Sequence, residues 1–233
     1  MTTKSHTECE ECNGLGYILK DVNGYLTAVE CHCHKAKRIK AALLTSGINA
    51  EEYELKNLDT FIADNPMAEK MKDNAERFLS DPNARGIGFF GKSGIGKTHI
   101  CIAICQELTK EKGLIHKYFP YKSEMQKLKA SFYDAEDYER LMSRWVNCDV
   151  LYIDDLLKFA LGKDGIRNQD LEITYDIINT RYLNRAMTIF SSEYSLAEIT
   201  DIDEALGSRI FSMIHPYGVK CEGENRRFSE LQG

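Results

Sequence analysis

Arg85-Gly86-Ile87-Gly88-Phe89-Phe90-Gly91-Lys92-Ser93-Gly94-Ile95-Gly96-Lys97-Thr98 is the stretch that decides the fold of this chain. Its second half, Gly91 to Thr98, completes the pattern GxxxxGK(S/T). The apolar run before it predicts a short buried strand, and Thr98 to Leu108 beyond it predicts a helix, so strand, loop and helix come in the order a phosphate cradle requires. Glycines let backbone N–H groups close around an anion, and the helix N-terminus adds its partial positive charge to the same place. Gly91, Lys92, Ser93, Gly94, Ile95 and Gly96 would wrap the phosphates. Lys97 would reach the β- and γ-phosphates, and the Thr98 hydroxyl would bind Mg²⁺. The expected ligand is ATP or ADP with Mg²⁺.

Working outward, Val150-Leu151-Tyr152-Ile153 reads as a buried parallel strand and ends in Asp154-Asp155. A carboxylate at the tip of a strand beside the phosphate loop holds Mg²⁺, which is the role expected of Asp154. Asp155 is the candidate for positioning or deprotonating the attacking water. Between and after these motifs the chain alternates. Ile115–Tyr121 and Met187–Ser191 read as strands; Lys122–Lys129, Glu136–Val146, Leu171–Leu183 and Ala205–Ile214 read as helices. That alternation predicts an α/β P-loop fold, a parallel sheet sandwiched by helices with the ligand at the strand ends.

The chain has 233 residues, 43% hydrophobic and 28% charged, enough for one principal domain and a small module. No apolar run is long enough to cross a bilayer and the first residues are polar, so the expected compartment is the cytoplasm, with no membrane partner. A net charge of −6 argues against coating nucleic acid through bulk charge. Four of the eight cysteines fall in the first 33 residues. Cys9-Glu10-Glu11-Cys12 and Cys31-His32-Cys33-His34 flank a hairpin-like segment containing Asn23-Gly24, and in a reducing compartment such a cluster holds metal rather than disulfides. Cys9, Cys12, Cys31 and Cys33 are the expected zinc ligands, with His32 or His34 as possible substitutes. So short a head would draw its folding energy from the metal. A basic helix carrying Lys35, Lys37, Arg38 and Lys40 follows. The expected division is a zinc-binding head with its basic helix at 1–45, a linker at 46–65, and the nucleotide-binding domain at 66–233.

The phosphate loop, Asp149-Val150-Leu151-Tyr152-Ile153-Asp154-Asp155-Leu156, Ile177-Ile178-Asn179-Thr180-Arg181-Tyr182, Thr188-Ile189-Phe190-Ser191-Ser192-Glu193 and Asp203-Glu204-Ala205-Leu206-Gly207-Ser208-Arg209-Ile210 occur in that order. Together they resemble the AAA+ helicase loaders of bacteria and their phages, the DnaC and DnaI type, which often carry a cysteine-rich head. The resemblance implies an AAA+ ATPase with slow, oligomer-dependent turnover. It places the strand ending at Ser191-Ser192 between the acidic and the phosphate-binding strands as the sensor strand. Glu193 stands where the family usually has a polar donor, so Ser192 becomes the candidate γ-phosphate sensor. Arg209 matches the arginine finger that reaches a neighbouring subunit's nucleotide, Arg181 is a second candidate for that interface, and Arg226 and Arg227 sit where a sensor arginine could lie.

The implied function is ATP-dependent delivery of a hexameric replicative DNA helicase to single-stranded DNA by a homo-oligomer. Lys122, Lys127 and Lys129 beside Phe132 and Tyr133 offer the charge and stacking surface that single-stranded DNA requires. The alternative is a transposition helper ATPase acting with a transposase on duplex DNA, which the cysteine-rich head disfavours.

Overall fold

The computed structural model describes residues 9–158, 160–162, 165–166 and 168–226. In chain order the elements are β1 (Tyr17–Val22), β2 (Tyr25–Glu30), α1 (His32–Leu44), α2 (Ala50–Leu55), α3 (Pro66–Ser80), β3 (Gly86–Gly91), α4 (Lys97–Lys112), β4 (His116–Pro120), α5 (Tyr121–Ala130), α6 (Ala135–Val146), β5 (Val150–Asp154), the two-residue strands β6 (Leu161–Gly162) and β7 (Gly165–Ile166), α7 (Asn168–Leu183), β8 (Met187–Ser192), α8 (Leu196–Ile202), α9 (Glu204–Ile214) and β9 (Gly218–Cys221). Five strands form one sheet in the order β4-β5-β8-β3-β9, every neighbouring pair parallel. The strand that carries the phosphate loop, β3, is therefore an interior strand, with the central strand β8 between it and the acidic strand β5, as expected of the sensor strand.

Both sheet faces are covered, and strand alternation sorts the core in two. Val150 and Tyr152 of β5 join Ile87 and Phe89 of β3 under α3 and α4. Leu151 and Ile153 face the other way, with Phe90, Phe119 and Phe190, under the helices that include α7 and α9. Because both faces are buried, β5 reads as an unbroken apolar run rather than an alternating one. The helix α4 is apolar nearly all round and buried accordingly, from Ile100 to Leu108.

The head is a β1–β2 hairpin whose turn residues Asn23 and Gly24 both have positive φ, 56° and 84°, the turn that matches strand twist. From it α1 runs onto the core, where Arg38 donates to the Gly113 carbonyl at 3.1 Å. The segment 46–65, expected as a linker, differs from that expectation. Its backbone is fixed against β4, the Tyr118 amide donating to the Ser46 carbonyl at 2.8 Å. It also contains α2, and Ile48, Tyr53 and Phe61 are buried in the same core as α3 and α4. The segment shows no helical period because only Ala50–Leu55 of it is helical and two of its three buried apolar residues, Ile48 and Phe61, lie outside that helix.

Candidate nucleotide site and cysteine cluster

The loop between β3 and α4 turns through left-handed backbone at Gly94 and Gly96, with φ of 77° and 100°. Only glycine adopts both without strain, which is why the spacing of the motif carries so much information. A Cβ at Gly94 would also collide with the Asn225 side chain, so the chain's C-terminal segment lies directly on the loop. The Arg226 amide donates to the Gly94 carbonyl at 3.0 Å, and its guanidinium reaches the Ile62 carbonyl at 2.9 Å and the Asp64 carboxylate. Arg227 lies outside the described residues.

Above the loop opens a cleft of about 460 Å³. Its lining includes Ser93, Lys97, Thr98, Asp154, Asp155 and Lys158, together with Lys56, Thr60 and Arg226. Phe61, Ile62 and His99 add ring and apolar surface, the Phe61 and His99 rings edge to face at 5.2 Å. Charged groups and ring surface in one cleft suit the phosphates and the base of a nucleotide. The Lys97 ammonium folds back on the loop and donates to the carbonyls of Gly91 and Lys92, both at 2.6 Å. Burial pushes its pKa down, against the opposing pull of nearby acidic groups such as Glu193 and Asp155.

Asp154 is the best-supported carboxylate of the site. Hydroxyls of Thr98 (3.2 Å), Tyr152 (2.5 Å) and Ser191 (2.6 Å) donate to its Oδ1, and Tyr118 donates to its Oδ2 at 2.8 Å. Four O–H donors fix the rotamer of this carboxylate. The hard oxygen donors of Thr98 and Asp154 thus meet on one wall of the cleft, a pair that suits Mg²⁺. Asp155 follows in left-handed backbone, φ 55°, and its carboxylate pairs with Lys158 at 3.0 Å. Lys158 also pairs with Glu193 at 2.9 Å.

Several expected residues stand elsewhere. The Ser192 hydroxyl donates to the Leu156 carbonyl at 2.8 Å and is wholly buried away from the cleft, so it does not serve as a phosphate donor. Arg181 is 0% exposed and reaches no surface that could meet another subunit. Its guanidinium instead ties the end of α6 to β8, donating to the carbonyls of Trp145, Val146, Cys148 and Met187 and to the Thr188 hydroxyl, at 2.6–3.1 Å. Lys129 is committed to Asp170 at 2.5 Å and Lys127 to Glu124 at 2.7 Å, which removes charge from the expected DNA surface. Phe132 and Tyr133 remain exposed, Tyr133 at 97%. Arg209 does not line its own chain's cleft. It lies 4.8 Å over the Tyr175 ring, with Nε donating to Asn179 at 2.8 Å.

Sequence reasoning missed Phe61, Ile62, His99 and Lys158. The first two fall in the segment taken as a linker, where no periodicity marks them. Lys158 was legible only as a lysine shortly after the acidic pair.

At the other end of the chain the sulfur atoms of Cys9, Cys12, Cys31 and Cys33 lie within 4.8 Å of one another. The Cys9–Cys31 and Cys12–Cys33 separations are 3.7 and 3.4 Å. Tetrahedral zinc with Zn–S bonds of about 2.3 Å needs sulfurs about 3.8 Å apart, so this set fits the ion. The Gly16 amide donates to the Cys12 sulfur at 3.3 Å, a bond that stabilises a thiolate. His32 and His34 are engaged by Glu11 (2.6 Å) and Glu30 (2.9 Å), although His32 also lies within reach of a mixed set with Cys9, Glu11 and Cys31.

Comparison with known proteins places this geometry. Residues 54–215 match the bacterial DnaA ATPase domain family. The chain is 34% identical to the protein YqaM of Bacillus subtilis strain 168, over 88% of this chain and 66% of YqaM. It is 31% identical to the phage-like element PBSX protein XkdC of the same organism, over 94% of this chain and 84% of XkdC. A crystal structure of the DnaC helicase loader superposes with a TM-score of 0.63 at 27% identity, over 73% of this chain and 100% of that one. Among the described residues, no helix is long and apolar enough to cross a membrane.

Proposed function

We propose that this chain, which belongs to the bacterial DnaA ATPase domain family, is an ATP-dependent loader that delivers a hexameric replicative helicase to single-stranded DNA in the cytoplasm. The family and the fold make it an AAA+ ATPase, binding ATP or ADP with Mg²⁺. The finer reading rests on one observation above others: the likeness to the DnaC helicase loader covers 100% of the crystallised chain of that protein. The cysteine head supports it, since a module separate from the nucleotide cleft leaves a second surface for a partner.

In this reading the head, 1–45, holds one Zn²⁺ through Cys9, Cys12, Cys31 and Cys33 and grips the helicase. The core binds nucleotide through Gly91–Thr98, holds Mg²⁺ through Thr98 and Asp154, and uses Asp155 to orient water. Arg209 of one subunit completes the site of the next in an ATP-dependent homo-oligomer. Nucleotide state then shifts the population between a loading and a releasing form. Copurification with the replicative helicase, with and without ATP, tests the reading. Lys97→Ala is expected to abolish loading onto single-stranded DNA while the helicase still copurifies; failure of the unaltered protein to retain helicase in either condition overturns it.

A further inference from the structure

The end of β8 presents a chemical mismatch. In the sheet order this strand lies between the phosphate-loop strand and the acidic strand. A side chain leaving its tip into the cleft is placed to recognise the terminal phosphate. The residue just past the strand is Glu193, beside the cleft through its pair with Lys158 at 2.9 Å, and an ionised carboxylate has no proton to donate and repels a phosphate. The preceding hydroxyl, Ser192, is spent on the Leu156 carbonyl and buried. A donor has to come from elsewhere.

Lys158 stands in the required place. It lines the same cleft wall as Ser93, Lys97, Thr98 and Asp155, with its ammonium 2.9 Å from Glu193 and 3.0 Å from Asp155. The backbone is shaped to bring it there. Asp155 and Leu157 both adopt left-handed φ, 55° and 64°, and the Lys158 amide closes a turn on the Asp155 carbonyl at 2.9 Å. Two non-glycine residues in that region, one of them a leucine, carry strain of the kind that persists where a side chain must be aimed.

We propose that Lys158 is the γ-phosphate sensor of this ATPase, held in readiness by Glu193 and Asp155 and transferred to the terminal phosphate when ATP binds. Glu193 serves as the positioning residue. The charges support a hand-over rather than a static pair: Asp155 and Glu193 both pair with Lys158 and both act on the nearby Lys97 ammonium. A triphosphate with Mg²⁺ brings new anionic oxygens that compete for Lys158, and its departure leaves the Asp155 carboxylate available to orient water. ADP, lacking the terminal phosphate, leaves Lys158 where it is. The proposal rests on the ATPase chemistry alone and stands whichever partner the chain serves.

Calorimetric binding of Mg-ADP and of a non-hydrolysable Mg-ATP analogue to the full chain tests it, with thermal unfolding alongside. Lys158→Ala is expected to weaken the ATP analogue about tenfold or more, the effect of one charge-assisted hydrogen bond, and to change ADP binding less than about twofold. Lys158→Arg should keep most of the preference for ATP. Glu193→Gln removes a competitor and a repulsive charge, and should tighten the analogue without changing ADP. Equal weakening of both nucleotides by Lys158→Ala, or an unchanged ratio, overturns the assignment, as does weaker analogue binding in Glu193→Gln. Absence of nucleotide binding by the unaltered chain would overturn the nucleotide site itself, a different failure.

Discussion

The Thr98 hydroxyl and the Asp154 carboxylate, 56 residues apart in sequence, meet at 3.2 Å. One begins the helix after the phosphate loop, the other ends a strand two places away in the sheet, and β8 between them supplies Ser191 to hold the carboxylate. Both are hard oxygen donors, the kind that Mg²⁺ takes.

Asp154→Asn keeps the shape but removes the charge on which Mg²⁺ depends. Hydrolysis is expected to fall by roughly 10²–10³, in the range found when a preorganised electrostatic group is lost. Nucleotide binding without Mg²⁺ should persist, because Lys97 and the loop amides are untouched. Phosphate release and a nucleotide titration with and without Mg²⁺ check the two halves.

The four head sulfurs predict one zinc per chain, and their removal should separate head from core. Cys12→Ser takes away both a ligand and the acceptor of the Gly16 amide. Metal analysis should then give well under one zinc per chain, and the hairpin should lose its amide-exchange protection. Nucleotide binding should stay near its original affinity, since the cleft draws no residue from β1, β2 or α1. Loss of nucleotide binding in Cys12→Ser, with Mg²⁺ kept in excess, would contradict this independence.

The core of the architecture was legible because each piece carries a local chemical signature. Glycine spacing marks the phosphate loop, an apolar run closed by two acids marks β5, and two cysteine knots mark the head. Other features depend on partners distant in sequence. Arg181 looks like a surface arginine on a helix until its five oxygen acceptors, from Trp145 to Thr188, are in view. Ser192 and Glu193 differ only in which side of β8's end they leave. Residues 46–61 carry no period because their buried side chains are fixed by particular partners rather than by one helix face: Ser46 and Tyr53 bond each other at 2.7 Å, and the Phe61 ring meets His99.

Tyr53 illustrates how that segment is fixed and predicts a pH dependence. His116 is wholly buried, its Nε2 2.5 Å from the Tyr53 hydroxyl and its Nδ1 2.7 Å from the Thr109 hydroxyl. Thr109 already donates to the Leu114 carbonyl, so Nδ1 carries the proton and Nε2 accepts from Tyr53. Burial pushes the His116 pKa down from 6.5 to about 4. The folded state therefore resists a proton that the unfolded chain accepts. The resulting stability is full above about pH 6.5 and lost as pH falls toward about 4, a change of about 3 kcal/mol. Denaturant unfolding across that interval should show the loss, and His116→Gln should flatten it.

Arg209 closes the account of the site from outside. It is held by Asn179 and stacked on Tyr175, on the surface formed by α7 and α9, with Tyr182 at 6.0 Å and the exposed Phe211 on the same helix. Its own cleft contains no part of it. If it acts in a neighbour's site, Arg209→Ala should lower hydrolysis by roughly 10³, at the low end for an arginine finger, while each subunit still binds ATP. Mixing makes the distinction sharp. Arg209→Ala chains have intact clefts and Lys97→Ala chains have intact arginines, so a mixture of two inactive preparations should recover part of the hydrolysis. A purely structural role for the Arg209–Tyr175 stack predicts a lower melting temperature for Arg209→Ala and no recovery on mixing.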